Sequence, residues 1–194
     1  IEEVMRLAKD DFEYVLGYHA APMLLGFKTA NLITFRKSRF ADFDGMLESY
    51  TPCFNCKGIS VFRVSEKNGL VVIMFYRVDA MERDLNRKEA REILRRCGYP
   101  MNGSIFEMLE HLRERVESEK TFPHEIGLFL GYPPGDVEGF IRHKGRDYCC
   151  CGYWKVYENE SDARRLFGIY DSCSRHFCRE LDCGKEFAEL VRAV

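Results

Sequence analysis

Apolar residues recur every three or four positions in several stretches of the chain, which is the spacing of one face of an amphipathic helix. The first of these stretches, residues 2–19, is expected to end near Pro22. The stretch SIFEMLEHLRERVE opens with Ser104 and Glu107 at capping-box spacing, so it carries its own start signal. Further helices are predicted over ADFDGMLESY, NRKEAREILRRCG, PPGDVEGFIRHKG and SDARRLFGIYDSCSRHFCREL.

Shorter runs rich in β-branched and aromatic residues predict strands. The runs GISVFRV and LVVIMFYRV are separated by the polar turn SEKNG. Residues 59–65 and 70–77 are therefore predicted to pair as an antiparallel hairpin through Asn68 and Gly69. Further strands are predicted over NLITF, EIGLFL and CCGYWKVY. The chain is expected to form a single α+β domain, residues 1–194, with a mixed or antiparallel sheet, a central hairpin and flanking helices.

The composition of the chain argues against some classes of binding partner. The chain has 29 Lys and Arg against 31 Asp and Glu, a formal net charge of −2, so no excess positive charge favours nucleic acid. Apolar runs such as GLVVIMFY are far shorter than the ~20 residues of a membrane-spanning helix. The N-terminal sequence lacks the pattern of a secretory leader, and the odd count of nine cysteines is a poor disulfide framework. We therefore expect a soluble cytoplasmic protein with mostly free thiols.

A histidine stands directly before the predicted strand EIGLFL. His124 and Glu125 begin the stretch HEIGL, which lacks the second histidine of the zinc motif H-E-x-x-H. His124 is interpreted either as a structural histidine at a strand edge or as an acid–base group. After the run, the turn GYPP brings Tyr132 to the start of a helix, where exposed N–H groups are able to hold an anion.

The predicted strand CCCGYWKVY carries a second set of candidates. Alternation along a strand places Cys151, Tyr153 and Lys155 on one face and the core residues Trp154 and Val156 on the other. The first face is suited to line a pocket, and Lys155 is suited to favour a nearby thiolate. The alternative is a half-exposed face on which cysteine packs as a small hydrophobe.

The two sets of candidates are expected to meet. One helix separates EIGLFL from CGYWKVY, and strand–helix–strand units usually place both strands in one sheet. We therefore expect His124 or the GYPP turn to border the face that carries Cys151, Tyr153 and Lys155.

Two incomplete sets of metal ligands are present. The stretch CFNC gives Cys53 and Cys56 the C-x-x-C spacing of half a zinc site, without a second pair at a zinc-finger interval. The last long helix carries Cys173 and His176, and Cys183 falls on the same stripe if that helix continues unbroken to residue 183. The two sets form one site only if the fold brings them together.

Three segments carry a resemblance to a known family. They are HAAPMLLGFKTANL, HEIGLFLGYPPGDVEGFI, and CGYWKVY followed by a helix with Phe167, Tyr170 and Cys173. The chain resembles the bacterial family catalogued as domain of unknown function 3793. That resemblance implies a cytosolic bacterial protein and supplies no catalytic residue.

Three functional hypotheses follow from the candidates. The preferred one is a small-molecule- or partner-binding accessory module that uses Tyr132, Tyr153 and Lys155. The second is a thiol or acid–base enzyme that pairs His124 with Cys151, because a cysteine nucleophile needs a base close in space but not in sequence. The third is a metal-binding protein that uses the cysteines and His176. The sequence assigns no cofactor.

Overall fold

The computed structural model describes the backbone of residues 2–119 and 122–193, and the side chains of these residues from Phe12 onward. Contacts divide the chain into two compact units. Unit 1 contains the residues up to Val78 and from Tyr170 onward, and unit 2 contains Asp79–Ile169. Among the described residues, no helix combines the length and the apolar character needed to cross a bilayer.

The described residues form helices joined to two small antiparallel sheets, which confirms the predicted α+β class. The expectation that residues 1–194 form one domain stays a prediction. The helices are α1 (Glu2–Leu24), α2 (Phe43–Cys56), α3 (Val78–Leu85), α4 (Lys88–Arg96), α5 (Ile105–Ser118), α6 (Ile126–Phe129), α7 (Pro134–His143), α8 (Glu160–Asp182) and α9 (Phe187–Leu190). The strands are β1 (Ala30–Arg36), β2 (Ile59–Lys67), β3 (Leu70–Arg77), β4 (Cys150–Cys151) and β5 (Lys155–Val156).

The three-stranded sheet of unit 1 has the order β1-β3-β2, and both pairings are antiparallel. The predicted hairpin of β2 and β3 is confirmed, with Val61 opposite Phe75. Its turn residues Asn68 and Gly69 have φ angles of 53° and 72°. Two successive positive φ angles match the right-handed twist of the flanking strands, which is why Asn-Gly is favoured at this turn.

Aromatic side chains fill the core of unit 1. Phe54 of α2 lies edge-on to Phe75 of β3 with ring centroids 5.7 Å apart, and Phe12 of α1 lies 5.4 Å from Phe35 of β1. All four side chains are almost completely buried. Edge-to-face and tilted ring pairs add to the free energy of apolar burial, so these contacts fix α1 and α2 on the sheet.

Arg77, at the end of β3, is buried without contacting a carboxylate among the described hydrogen bonds. Its guanidinium donates to the carbonyl oxygens of Met23 and Leu24 at 2.7 and 2.8 Å, and to those of Lys57 and Arg192 at 3.2 and 2.8 Å. The last carbonyls of a helix have no partner within the helix. Arg77 therefore caps α1 and joins the end of α2 to the C-terminal segment.

The prediction that EIGLFL forms a strand is wrong, because these residues form the short helix α6. The amide of Ile126 donates to the carbonyl of Pro123, and that of Leu128 to the carbonyl of Glu125. The Glu125 carboxylate is buried and accepts hydrogen bonds from Tyr99 Oη at 3.0 Å and Arg115 Nε at 2.6 Å. Because the backbone is satisfied locally and Glu125 is anchored inward, the apolar run is buried without a partner strand.

The predicted strand CCGYWKVY is corrected to a tight hairpin of two-residue strands, β4 and β5, in which Cys151 pairs with Lys155. The turn contains Gly152, whose amide donates to the Trp154 carbonyl at 3.0 Å. A Cβ atom on Gly152 would lie 2.4 Å from the ring of Phe167, so a larger residue does not fit. EIGLFL and CGYWKVY therefore do not share a sheet, and the expected strand–helix–strand unit is wrong.

The remaining predicted helices are observed with changed ends. The capping box of Ser104 and Glu107 is present at the start of α5. Helix α1 includes Pro22 and ends two residues later, and α2 continues through the C-x-x-C stretch to Cys56. Helix α3 was not predicted from the sequence.

The free energy of unfolding should depend on pH through Lys28 of unit 1. Burial lowers the pKa of its ammonium from 10.5 to about 8. The unfolded chain then binds more protons than the folded chain between these two pH values, so the free energy of unfolding rises with pH in this window. Between about pH 7 and 9.5 we expect a gain of about 2 kcal/mol in urea unfolding.

The Lys28→Met variant removes the titrating group, so it should lose this gain. Lys67→Met, at an exposed strand end, is the matched control and should keep the gain. Equal pH dependence of the two variants would contradict the assignment.

Candidate functional site

Unit 2 contains a cavity of about 320 Å³ between the start of α7 and the β4–β5 hairpin. Five of its lining residues are Phe, Tyr or Trp, and His124 adds an imidazole ring. The cavity is lined by Phe122, Pro123, His124, Ile126, Gly127, Tyr132, Asp136, Val137, Phe140, Cys151, Gly152, Tyr153, Trp154 and Lys155. Concave apolar surfaces with a few polar groups are the usual form of small-molecule sites.

Asp136, in the first turn of α7, fixes the hairpin that forms one wall. One carboxylate oxygen accepts a hydrogen bond from Trp154 Nε1 at 2.7 Å. The other accepts from the amides of Tyr157 and Glu158 at 2.7 and 2.9 Å. The Asp136 side chain is buried, which strengthens its hydrogen bonds, and three N–H groups share this one acceptor residue.

The close approach of the hairpin to α7 also depends on Gly139. A Cβ atom at this position would lie 2.4 Å from the ring of Tyr157. The glycine on the inner face of α7 therefore leaves the space that Tyr157 occupies, next to the Asp136 hydrogen bonds.

Two aromatic residues form the inner wall of the cavity. The rings of Tyr132 and Trp154 stack with centroids 5.0 Å apart, and Trp154 meets Phe167 of α8 edge-on at 4.6 Å. The Tyr132 hydroxyl donates to the carbonyl of Tyr153 at 3.1 Å. Burial raises the pKa of Tyr132 to about 12, so it remains a neutral phenol near pH 7.

Lys155 supplies the cation of the cavity wall. Its Nζ donates to the Gly145 carbonyl at 2.8 Å and lies 4.8 Å from the ring centroid of Tyr148 and 5.6 Å from that of Phe140. Both distances fall within the range of cation–π attraction. The ammonium is therefore held at a defined position beside the aromatic lining.

The structure places all five residues that were predicted for binding or catalysis on this one cavity: His124, Tyr132, Cys151, Tyr153 and Lys155. The His124 ring packs edge-on against Phe140 at 4.9 Å, and both His124 and Cys151 are exposed. The site residues meet through the turn before α6 and the hairpin, and not through the shared sheet that was expected.

Sequence reasoning missed Asp136, Phe140 and Trp154 as cavity residues. One signal was available, because a buried tryptophan usually needs an acceptor for its indole N–H. Asp136 follows PPG at the start of a predicted helix, where a carboxylate is favourable. Nothing in the residue spacing connects it to a hairpin 18 residues later.

The metal-ligand candidates are not brought together in the part of the chain that the structure describes. No group of three or more His, Cys, Asp or Glu side chains there is arranged to hold a metal ion. Cys53 and Cys56 lie in the last turn of α2, where Cys56 Sγ donates to the Cys53 carbonyl. Cys173 is buried in α8, while His176 and Cys183 are exposed. Burial raises the pKa of the Cys53 and Cys173 thiols, which disfavours the thiolate that a metal binds.

The fold and the cavity together define an α+β protein with an aromatic-lined cavity of small-molecule size. The family model described as "Protein of unknown function (DUF3793)" matches residues 16–191, which is nearly the whole chain. The chain therefore belongs to this family, as the sequence resemblance predicted. No curated protein and no solved structure matches the chain.

The role of Asp136 is tested by removing its carboxylate. Asp136→Ala leaves one buried and two partly buried N–H donors without their acceptor, so we expect a loss of about 3 kcal/mol in urea unfolding. The emission of Trp154 should also shift to longer wavelength as the hairpin opens to water.

Glu138→Ala is the matched control in the same helix. It removes only a surface ion pair with Arg96, so the expected loss is below about 1 kcal/mol. Equally small losses for both variants would show that Asp136 does not anchor the hairpin.

Proposed function

We propose that this protein binds a small molecule in the aromatic cavity of unit 2. The observation that carries the proposal is the convergence of five aromatic residues, His124 and Lys155 on a concave space of about 320 Å³. A cavity of this size lies at the lower end of the range for ligand sites. The ligand is therefore a compact molecule and not a long peptide or polymer.

The arrangement of the wall supports binding in preference to a reaction. The Asp136 carboxylate is directed at the hairpin, and the Tyr132 hydroxyl at the Tyr153 carbonyl. These polar groups hold the shape of the cavity, as preorganised binding sites require. The His124 ring packs edge-on against the ring of Phe140, so an apolar contact holds it at the cavity wall.

We also propose that the protein works in the cytoplasm. The nine cysteines are free thiols, and Cys56, Cys149, Cys151 and Cys183 are exposed. A protein with exposed, unpaired thiols is suited to a reducing compartment.

The proposal is tested with N-phenyl-1-naphthylamine, a neutral probe that fluoresces in apolar surroundings and absorbs where tryptophan emits. Trp154 is the only tryptophan in the chain and lines the cavity, so energy transfer from it reports binding at this place. We expect saturable transfer with one probe per chain.

Two matched cysteine variants locate the probe. Cys151 and Cys149 are both exposed and two residues apart, but only Cys151 lines the cavity. Cys151→Phe should fill the entrance and weaken probe binding at least tenfold, which is about 1.4 kcal/mol. Cys149→Phe should bind as the unchanged protein does. Absence of saturable transfer, or equal effects of both variants, would overturn the proposal.

A further inference from the structure

The proposed binding function leaves the chemical class of the ligand open, and the inference below rests on that function. We propose that the cavity binds a small planar aromatic acid, with its rings against the aromatic lining and its anionic oxygen atoms on Lys155. The carboxylate and other anionic oxygen groups share this chemistry.

The polar groups of the cavity wall favour a ligand that presents hydrogen-bond acceptors. Lys155 carries three N–H donors, and one of them is placed on the Gly145 carbonyl. The Asp136 oxygens accept from Trp154 Nε1 and from two backbone amides, so this carboxylate is committed to the hairpin. The cavity wall therefore provides hydrogen-bond donors that belong to a cation. A ligand with hydrogen-bond acceptors complements this wall.

The ammonium of Lys155 is held among aromatic rings. Lys155 lines the apolar cavity, and its Nζ lies beside the rings of Tyr148 and Phe140. Charge-assisted hydrogen bonds are stronger where water is partly excluded, and a cationic ligand would be repelled there. The same lysine therefore favours an anion over a neutral group of equal size and disfavours an amine.

The aromatic lining of the cavity favours a flat ligand. Tyr132 and Trp154 stack on each other, and Phe140 and Phe122 add further ring surface to the cavity. Flat π-systems pack on such rings in offset or edge-on geometry and gain more than saturated rings of the same area. The volume of about 320 Å³ suits a molecule of one or two fused rings.

The test compares three compounds of similar size by isothermal titration calorimetry. They are 2-naphthoate, its neutral amide 2-naphthamide, and the saturated acid decahydro-2-naphthoate. For the unchanged protein we expect 2-naphthoate to bind at least about tenfold more tightly than either of the other two.

Variants of Lys155 assign the charge preference. Lys155→Met should weaken the acid far more than the amide and bring the two within about twofold of each other, and retained binding of the amide shows that the cavity is intact. Lys155→Arg should keep most of the preference for the acid. Lys88→Met, an exposed lysine of unit 2, is the control and should behave as the unchanged protein.

The outcomes separate this inference from the binding function on which it rests. If the neutral naphthylamine probe binds but the acid shows no advantage over the amide, the cavity is a binding site and the ligand class is wrong. The same conclusion follows if Lys155→Met keeps the preference for the acid. If neither the probe nor any of the three compounds binds, the binding function itself fails.

Discussion

The hydrogen bonds of Asp136 are the interaction on which the cavity depends. The β4–β5 hairpin has only two residues in each strand, and so short a hairpin is not stable alone in water. One buried carboxylate joins the indole of Trp154 and the amides after β5 to the first turn of α7. Trp154 and Lys155 are positioned as a consequence, because both belong to the hairpin that Asp136 holds.

A buried side chain of the opposite charge has a similar structural role in unit 1. Buried Arg77 binds four carbonyl oxygens at the ends of α1 and α2 and near the C-terminus, where helix ends leave acceptors unsatisfied. In each unit, one buried ionised side chain satisfies several backbone or indole groups in irregular structure. Removal of either side chain would leave buried polar groups without partners. The free energy of unfolding would then fall by more than it does on loss of a surface ion pair.

The sequence predicted elements whose signals are local. The Asn-Gly turn of β2–β3 and the capping box of α5 are each specified within a few residues, and both are observed. EIGLFL was misassigned because a short apolar run fits a strand or a buried helix equally well, and the anchoring of Glu125 by Tyr99 and Arg115 is a tertiary contact. The candidate residues were found because tyrosine, lysine, histidine and cysteine stand out by type, whereas Asp136 acts through a contact that residue spacing does not encode.

The anchored hairpin and the binding site are tested most directly by the indole N–H signal of Trp154 in ¹⁵N-labelled protein. The chain has one tryptophan, so the spectrum contains a single indole signal for the group that both bonds Asp136 and lines the cavity. We expect this proton to exchange slowly with D₂O and its signal to move on titration with 2-naphthoate to a saturated position. Rapid exchange, together with a signal that stays in place at saturating ligand, would contradict both the anchored hairpin and the site.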